Sequence, residues 1–152
     1  MESLTLYIEL QQLRFNKKLT YRTCIAPPIL TGDYKVPSLS IQPFVENAIE
    51  HGIAHSEKKD SFVAVSAELQ KGFLLYTIED NGIGRQKAME LKSKQVLKKK
   101  SYGMQITADR IDIINRIQQM NASVLIEDLK DTAGNATGTK VIIEIPLQPL
   151  MA

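Results

Sequence analysis

Asp80-Asn81-Gly82-Ile83-Gly84 closes an apolar run over residues 73–79 and is the sharpest local signal in the chain. A carboxylate at a strand end can accept a hydrogen bond from the amino group of an adenine. Glycines just beyond it let the backbone approach a ligand and hinge the segment that follows. Asn-Gly after a strand is also a common hairpin turn. A hairpin needs a returning strand, however, and residues 85–102 are polar and rich in lysine, with Lys98-Lys99-Lys100 in one run.

A second group lies in Gln42-Pro43-Phe44-Val45-Glu46-Asn47-Ala48-Ile49-Glu50-His51-Gly52. On a helix, Glu46 and Glu50 share one face, with Asn47 and His51 on the adjoining stripe. Oxygen-bearing side chains of this kind suit a hard cation such as magnesium held together with substrate phosphates. A solvated helix face with surface ion pairs would carry the same residue types. Ser101-Tyr102-Gly103-Met104 opens a third helical pattern, whose free N–H groups and dipole would attract phosphate. A plain glycine near a helix start explains those residues as well. Gly138-Thr139 precedes an apolar run and reads either as a site element or as a turn.

Other chemistries are excluded. The stretch Gly134-Asn135-Ala136-Thr137-Gly138-Thr139-Lys140 has the wrong spacing for a P-loop, and Gly82-Ile83-Gly84 lacks the third glycine of a dinucleotide fingerprint. Neither His51 nor His55 has zinc-site spacing to Cys24, and no hydrolase elbow is present. A net charge of +2 is too weak to indicate nucleic-acid or membrane binding. The lone Cys24 can form no internal disulfide and reads as a small core residue. No apolar run reaches the ~18 residues of a membrane span, and no signal peptide opens the chain, so a soluble domain is expected.

The elements that must position these residues follow from periodicity. At 152 residues and 43% hydrophobic, the chain suits one compact domain with a real core. Residues 3–15 read as a helix, with Leu4, Ile8, Gln11 and Phe15 on one stripe and Leu6, Leu10 and Leu13 on the next. A strand is expected over 19–25. A second helix follows, capped by Ser40 with Pro43 in its first turn, where proline does not clash. Strands over 62–69 and 73–79 flank a turn at Lys71-Gly72. A helix is expected from Gly103, then strands over 123–129 and 140–145. Short turns between consecutive strands favour a mixed sheet with helices on one face over a doubly wound parallel sheet.

Taken in order, Glu-Asn-Ala-x-x-His-Gly on a helix, Asp-Asn-Gly-Ile-Gly, a lid, a Gly-opened helix and Gly-Thr before a strand resemble the GHKL ATPase family. Residues 39–52 are similar to the LytS-like group of sensor histidine kinases. Residues 7–15 resemble the helix that leads into that group's ATP domain. The resemblance implies an α/β (α+β) two-layer sandwich of the Bergerat type. Residues 1–15 would be the end of a linker helix from a dimerisation and phosphoacceptor region. Residues 16–152 would be the ATP-binding catalytic domain, with residues 85–102 as its lid.

By position, Asn47 would bind Mg2+, and Asn47 and Glu46 would be the catalytic candidates. Asp80 would hold adenine, with Thr139 supporting it, and His51 would line the pocket near the sugar or phosphates. Gly82, Ile83 and Gly84 would shape the pocket and the start of the lid, and Tyr102, Gly103 and Met104 would meet the phosphates. The implied activity is transfer of the ATP γ-phosphoryl group to a histidine. The implied partners are ATP, the protein's own phosphoacceptor helix within a homodimer, and a response regulator. The implied location is a cytoplasmic domain of an inner-membrane sensor protein, without nucleic-acid or membrane contact. An Asn-Pro-His-Phe phosphoacceptor box is absent from these residues. Three positions depart from the family pattern: Glu50 stands where lysine is frequent, Ser101 replaces the first glycine of a Gly-x-Gly box, and Pro43 stands where many relatives carry a polar or acidic residue, although proline is usual for the LytS-like group. Glu50 and Ser101 support an alternative, a degenerate nucleotide-binding or partner-binding module without kinase activity.

Overall fold

The computed structural model describes residues 2–15, 19–27, 34–35, 41–54, 56–70, 72–87, 90, 122–146 and 148–149. Its elements are α1 (Glu2–Arg14), β1 (Leu19–Ile25), β2 (Tyr34–Lys35), α2 (Gln42–Asn47), a π-helical segment (Ala48–Ile53), β3 (Ser61–Gln70), β4 (Phe73–Asp80), β5 (Ser123–Lys130), β6 (Ala136–Pro146) and β7 (Gln148–Pro149). The expected helix from Gly103 and most of the expected lid lie outside the described residues.

Five strands form one mixed sheet in the order β1-β3-β4-β6-β5. Only β1 and β3 run parallel, and the other neighbours are antiparallel. The architecture is the expected α+β arrangement, a mixed sheet packed on one face by helices. The period-2 pattern explains the packing: Val63, Val65 and Ala67 of β3, Leu74 and Ile78 of β4, and Val141, Ile143 and Ile145 of β6 all point inward. Phe44, Val45, Ala48, Ile49 and Ile53 from the α2 region and Leu4 and Ile8 from α1 meet them in a single core. Full burial of such side chains contributes roughly 1.5–3 kcal/mol each.

Three local expectations change. Pro43 sits in the first turn of α2 as expected, but Ile41 occupies the cap position without a side-chain cap bond, and Ser40 lies outside the described residues. Past Asn47 the helix widens, and the Ala54 N–H donates to the Ile49 carbonyl five residues back at 2.8 Å. Such π turns are rare and often occur at functional sites. Cys24 is exposed rather than core. It falls on the outward phase of β1, opposite Ser66, whereas Leu19, five residues earlier and so in the inward phase, is buried.

Candidate functional site

One pocket opens between the α2 helical region and the ends of β4 and β6. It is lined by Asn47, His51, Gly52, Asp80, Gly84 and Thr139, with Phe44, Ile78 and Val141 at its apolar floor and Arg85 beside it. Its empty space, counting the part open to solvent, is about 440 Å3. Asn47, His51, Asp80, Gly84 and Thr139, all picked out from the sequence, therefore meet at one place.

The convergence depends on close backbone contacts. A Cβ on Gly82 would lie 2.2 Å from the Gly52 carbonyl carbon, and one on Gly138 would lie 1.9 Å from the Asp80 carbonyl oxygen. The Ile83 N–H donates to the Gly52 carbonyl at 3.2 Å, joining the turn after β4 to the π segment. Gly138 and Thr139 are not a turn before the last strand. They lie inside β6, where Thr139 stands directly opposite Asp80. That longer β6 supplies the second wall of the pocket.

Asp80 is 4% exposed, and its Oδ1 accepts from the Gly82 N–H at 2.8 Å. Burial pushes the carboxyl up from 3.8 to about 6. The Gly82 N–H opposes this, Glu79 adds to it, and Lys58 draws the value down. A carboxyl raised in the folded state favours folding when protonated. Its contribution is complete below 3.8 and is lost as pH rises through about 6. The difference in unfolding free energy between the unliganded wild type and Asp80→Asn should therefore move against the wild type between pH 4 and pH 6.5. Chemical denaturation across ~2 pH units measures it. A pH-independent difference would mean that Asp80 is not buried in this way.

Asn81 fixes the turn to β3: its Oδ1 accepts from the Phe62 N–H at 2.7 Å and its Nδ2 donates to the Asp60 carbonyl at 2.8 Å. Arg85 is held by a fork to Asp128 of β5, with Nε to Oδ1 and Nη2 to Oδ2 both at 2.8 Å. The same hydrogen-bonded guanidinium keeps the Asp128 carboxyl below its usual range. Tyr102, Gly103 and Met104 lie outside the described residues.

Glu46 does not line the pocket among the described residues; its Oε1 accepts from Gln42 Nε2 at 2.8 Å. Glu50, which stands where lysine is frequent in the family pattern, turns to α1, where Arg14 Nη1 meets its Oε1 at 3.0 Å. The pocket takes Phe44, Asn47, Ala48, His51 and Gly52 from this region, and Glu50 is not among the residues that line it. An exposed pair of this kind contributes ~0–1 kcal/mol. Changing Glu50 to Lys should therefore leave ligand affinity in the pocket within roughly twofold and cost at most about 1 kcal/mol of stability. Calorimetry and urea unfolding check both; tenfold tighter binding would put Glu50 back at the pocket.

The sequence pattern gives no site role to Arg85 or Lys58, and it places Phe44 and Gly52 only on an apolar helix face with Ile41, Val45, Ala48 and Ile49. The available signal was the pairing of His51-Gly52 with Asn81-Gly82, two glycines where chain segments can touch.

No family model matches the chain. Over 82 residues it is 35% identical to the sensor histidine kinase BtsS of Escherichia coli (strain K12), a match that covers 53% of this chain and 14% of BtsS. The catalytic domain of histidine kinase ThkA superposes with a TM-score of 0.56 at 14% identity, covering 95% of this chain and 88% of that domain. ThkA in complex with the response regulator protein TrrA matches with a TM-score of 0.59 at 14% identity, over 99% of this chain and 40% of that one. Among the described residues no helix is long and apolar enough to cross a membrane. The chain thus has the mixed-sheet α+β fold of histidine-kinase catalytic domains, and its likeness to part of a sensor histidine kinase supports a GHKL-type ATP-binding domain.

Proposed function

We propose that the chain is the ATP-binding catalytic domain of a two-component sensor histidine kinase, of the LytS-like group, and that it transfers the γ-phosphoryl group of ATP to a histidine outside residues 1–152. The observation that carries this is a pocket lined together by Asn47 and His51 of the helix and Asp80 and Thr139 of the sheet. Asp80 is the acceptor for the adenine amino group, since a buried carboxylate in front of an apolar floor selects a donor over bulk water. Thr139, opposite it in the ladder, supports the same edge. Phe44, Ile78 and Val141 give the base an apolar bed.

The donors present fit magnesium. Among the described residues no cluster of three or more His, Cys, Asp or Glu could hold a metal. A lone amide oxygen from Asn47 suits an ion that takes most of its ligands from phosphates and water. When bound, magnesium neutralises charge on the transferring phosphoryl group. The protein's own contribution is positioning: Asn47 and His51 orient the triphosphate side, and Asp80 fixes the base side. Glu46 neighbours Asn47 in sequence and is the remaining catalytic candidate. The phosphoryl recipient is the protein's own phosphoacceptor helix in a homodimer, and a response regulator is the next acceptor. The domain works on the cytoplasmic side of an inner-membrane sensor.

Radiolabelled ATP tests the proposal. The full-length protein should acquire acid-labile label, and Asn47→Ala should lose it by at least ~100-fold, the loss expected when a group stabilising charge on a transferred phosphoryl is removed. Residues 1–152 alone should acquire none, because His51 lies at the pocket rather than on a phosphoacceptor helix. Normal ATP binding without label in the full-length protein would favour the regulatory binding module. The contact of Glu50 with Arg14 turns that carboxylate away from the pocket, although the lysine frequent at this position is still absent.

A further inference from the structure

Lys58 lies between the π segment and β3 and is exposed. A lysine in such a place ordinarily keeps its ammonium in water. Here Nζ donates to the Asn81 carbonyl at 2.8 Å and to the Thr137 carbonyl at 3.3 Å. Those two carbonyls mark the point where the central ladder ends. β4 stops at Asp80, opposite Thr139, whereas β6 starts earlier, at Ala136. Past the last pair, the ammonium bridges the two chains. Asn81 is simultaneously tied to Phe62 and Asp60 at the start of β3.

We propose that Lys58 is a positioning residue of the nucleotide pocket, its ammonium bridging the Asn81 and Thr137 carbonyls and so setting the separation of Asp80 from Thr139. The proposal rests on the ATP-binding reading above. Asp80 and Thr139 sit one residue inside and two residues beyond the bridged carbonyls, so a change in the bridge moves both sides of the base-binding edge. The bridge also places a positive charge near Asp80. Among the described residues, the other charged or titratable groups around that carboxylate are Glu79 on its own strand, His51 from the π segment and Arg85 past the turn.

The test compares wild type, Lys58→Met, Lys58→Arg and, as a charge-matched control, Lys59→Met in the 152-residue chain. Two quantities are measured: magnesium–ATP affinity by calorimetry, and the pH midpoint of the Asp80 carboxyl carbon by NMR without ligand. Loss of charge-assisted bonds to two carbonyls should weaken ATP binding about tenfold in Lys58→Met and raise the Asp80 midpoint. Lys58→Arg, which keeps charge and donors, should stay within about threefold of wild type. Lys59→Met should match wild type in both. If wild type binds ATP and Lys58→Met matches it in affinity and midpoint, Lys58 is an ordinary surface lysine and the proposal falls, with the ATP reading intact. If wild type binds no ATP, the reading falls and the proposal with it.

Discussion

Magnesium–ATP at about 100 times its dissociation constant should stabilise the protein by roughly 2.7 kcal/mol. For a chain of this length each kcal/mol corresponds to about 2–4 °C in the unfolding midpoint, so a shift of roughly 5–10 °C is expected. Asp80→Asn should remove most of it. The substitution keeps the shape but replaces a buried anionic acceptor with a neutral amide, and charge-assisted bonds are about twice as strong as neutral ones. The pH dependence sharpens the test. Because the carboxyl is held near 6, wild-type ATP affinity should fall by up to about tenfold for each pH unit below that value. The unliganded protein gains stability from the same protonation. Affinity and intrinsic stability should therefore run in opposite directions between about pH 6 and pH 4, and Asp80→Asn should lack both trends. No midpoint shift with millimolar ATP and magnesium would count directly against an ATP site.

Adding one methyl group at Gly138 should be among the most damaging small substitutions in the chain. Its Cβ would fall 1.9 Å from the Asp80 carbonyl oxygen, and its φ of 151° is one that residues with a side chain rarely adopt. Gly82→Ala meets the Gly52 backbone at 2.2 Å. In both cases the obstacle is main chain, which cannot rotate aside as a side-chain tip can. Losses of roughly 3–5 kcal/mol in urea unfolding are expected, the range in which overpacking and backbone strain combine. Gly72→Ala is the control: nothing lies within 4 Å and only its φ of 83° is unfavourable, so about 1 kcal/mol is expected. If Gly138→Ala proved as mild as Gly72→Ala, the close approach of β6 to the end of β4 would be wrong.

The sequence was most legible where periodicity and packing agree. Val63, Val65 and Ala67 alternate with half-exposed neighbours, and that alternation is visible in the letters. The strand leading to Asp80 was equally plain. Gly138-Thr139 is harder to read, because glycine breaks the strand pattern although β6 continues past it, with an irregular register against β5 beside Gly138. The pairing with Asp80 that makes this possible is long-range and leaves no local mark. Glu50 shares a helix face with Glu46 in the sequence pattern, but the Arg14 partner that fixes it lies on another element and leaves no local mark. Cys24 was misjudged from residue type alone, when the phase of β1 decides which face it occupies. The pairing of Tyr34-Lys35 with Gln148-Pro149 involves two residues on each side, too few for any period to appear.

The position of β6 has a consequence for how the protein is made. β6 lies between β4 and β5, yet it is the last long strand in the chain. While the roughly fifty residues between β4 and β6 are being translated, which takes on the order of several seconds, β4 has one edge without its eventual neighbour. That edge belongs to a strand with Leu74, Tyr76 and Ile78 on its inward face. An unpaired edge backed by apolar side chains is a template for association with other nascent chains. Shielding of this interval on the ribosome would set the yield of protein, and any truncation that removes β6 should give an insoluble product rather than a smaller domain.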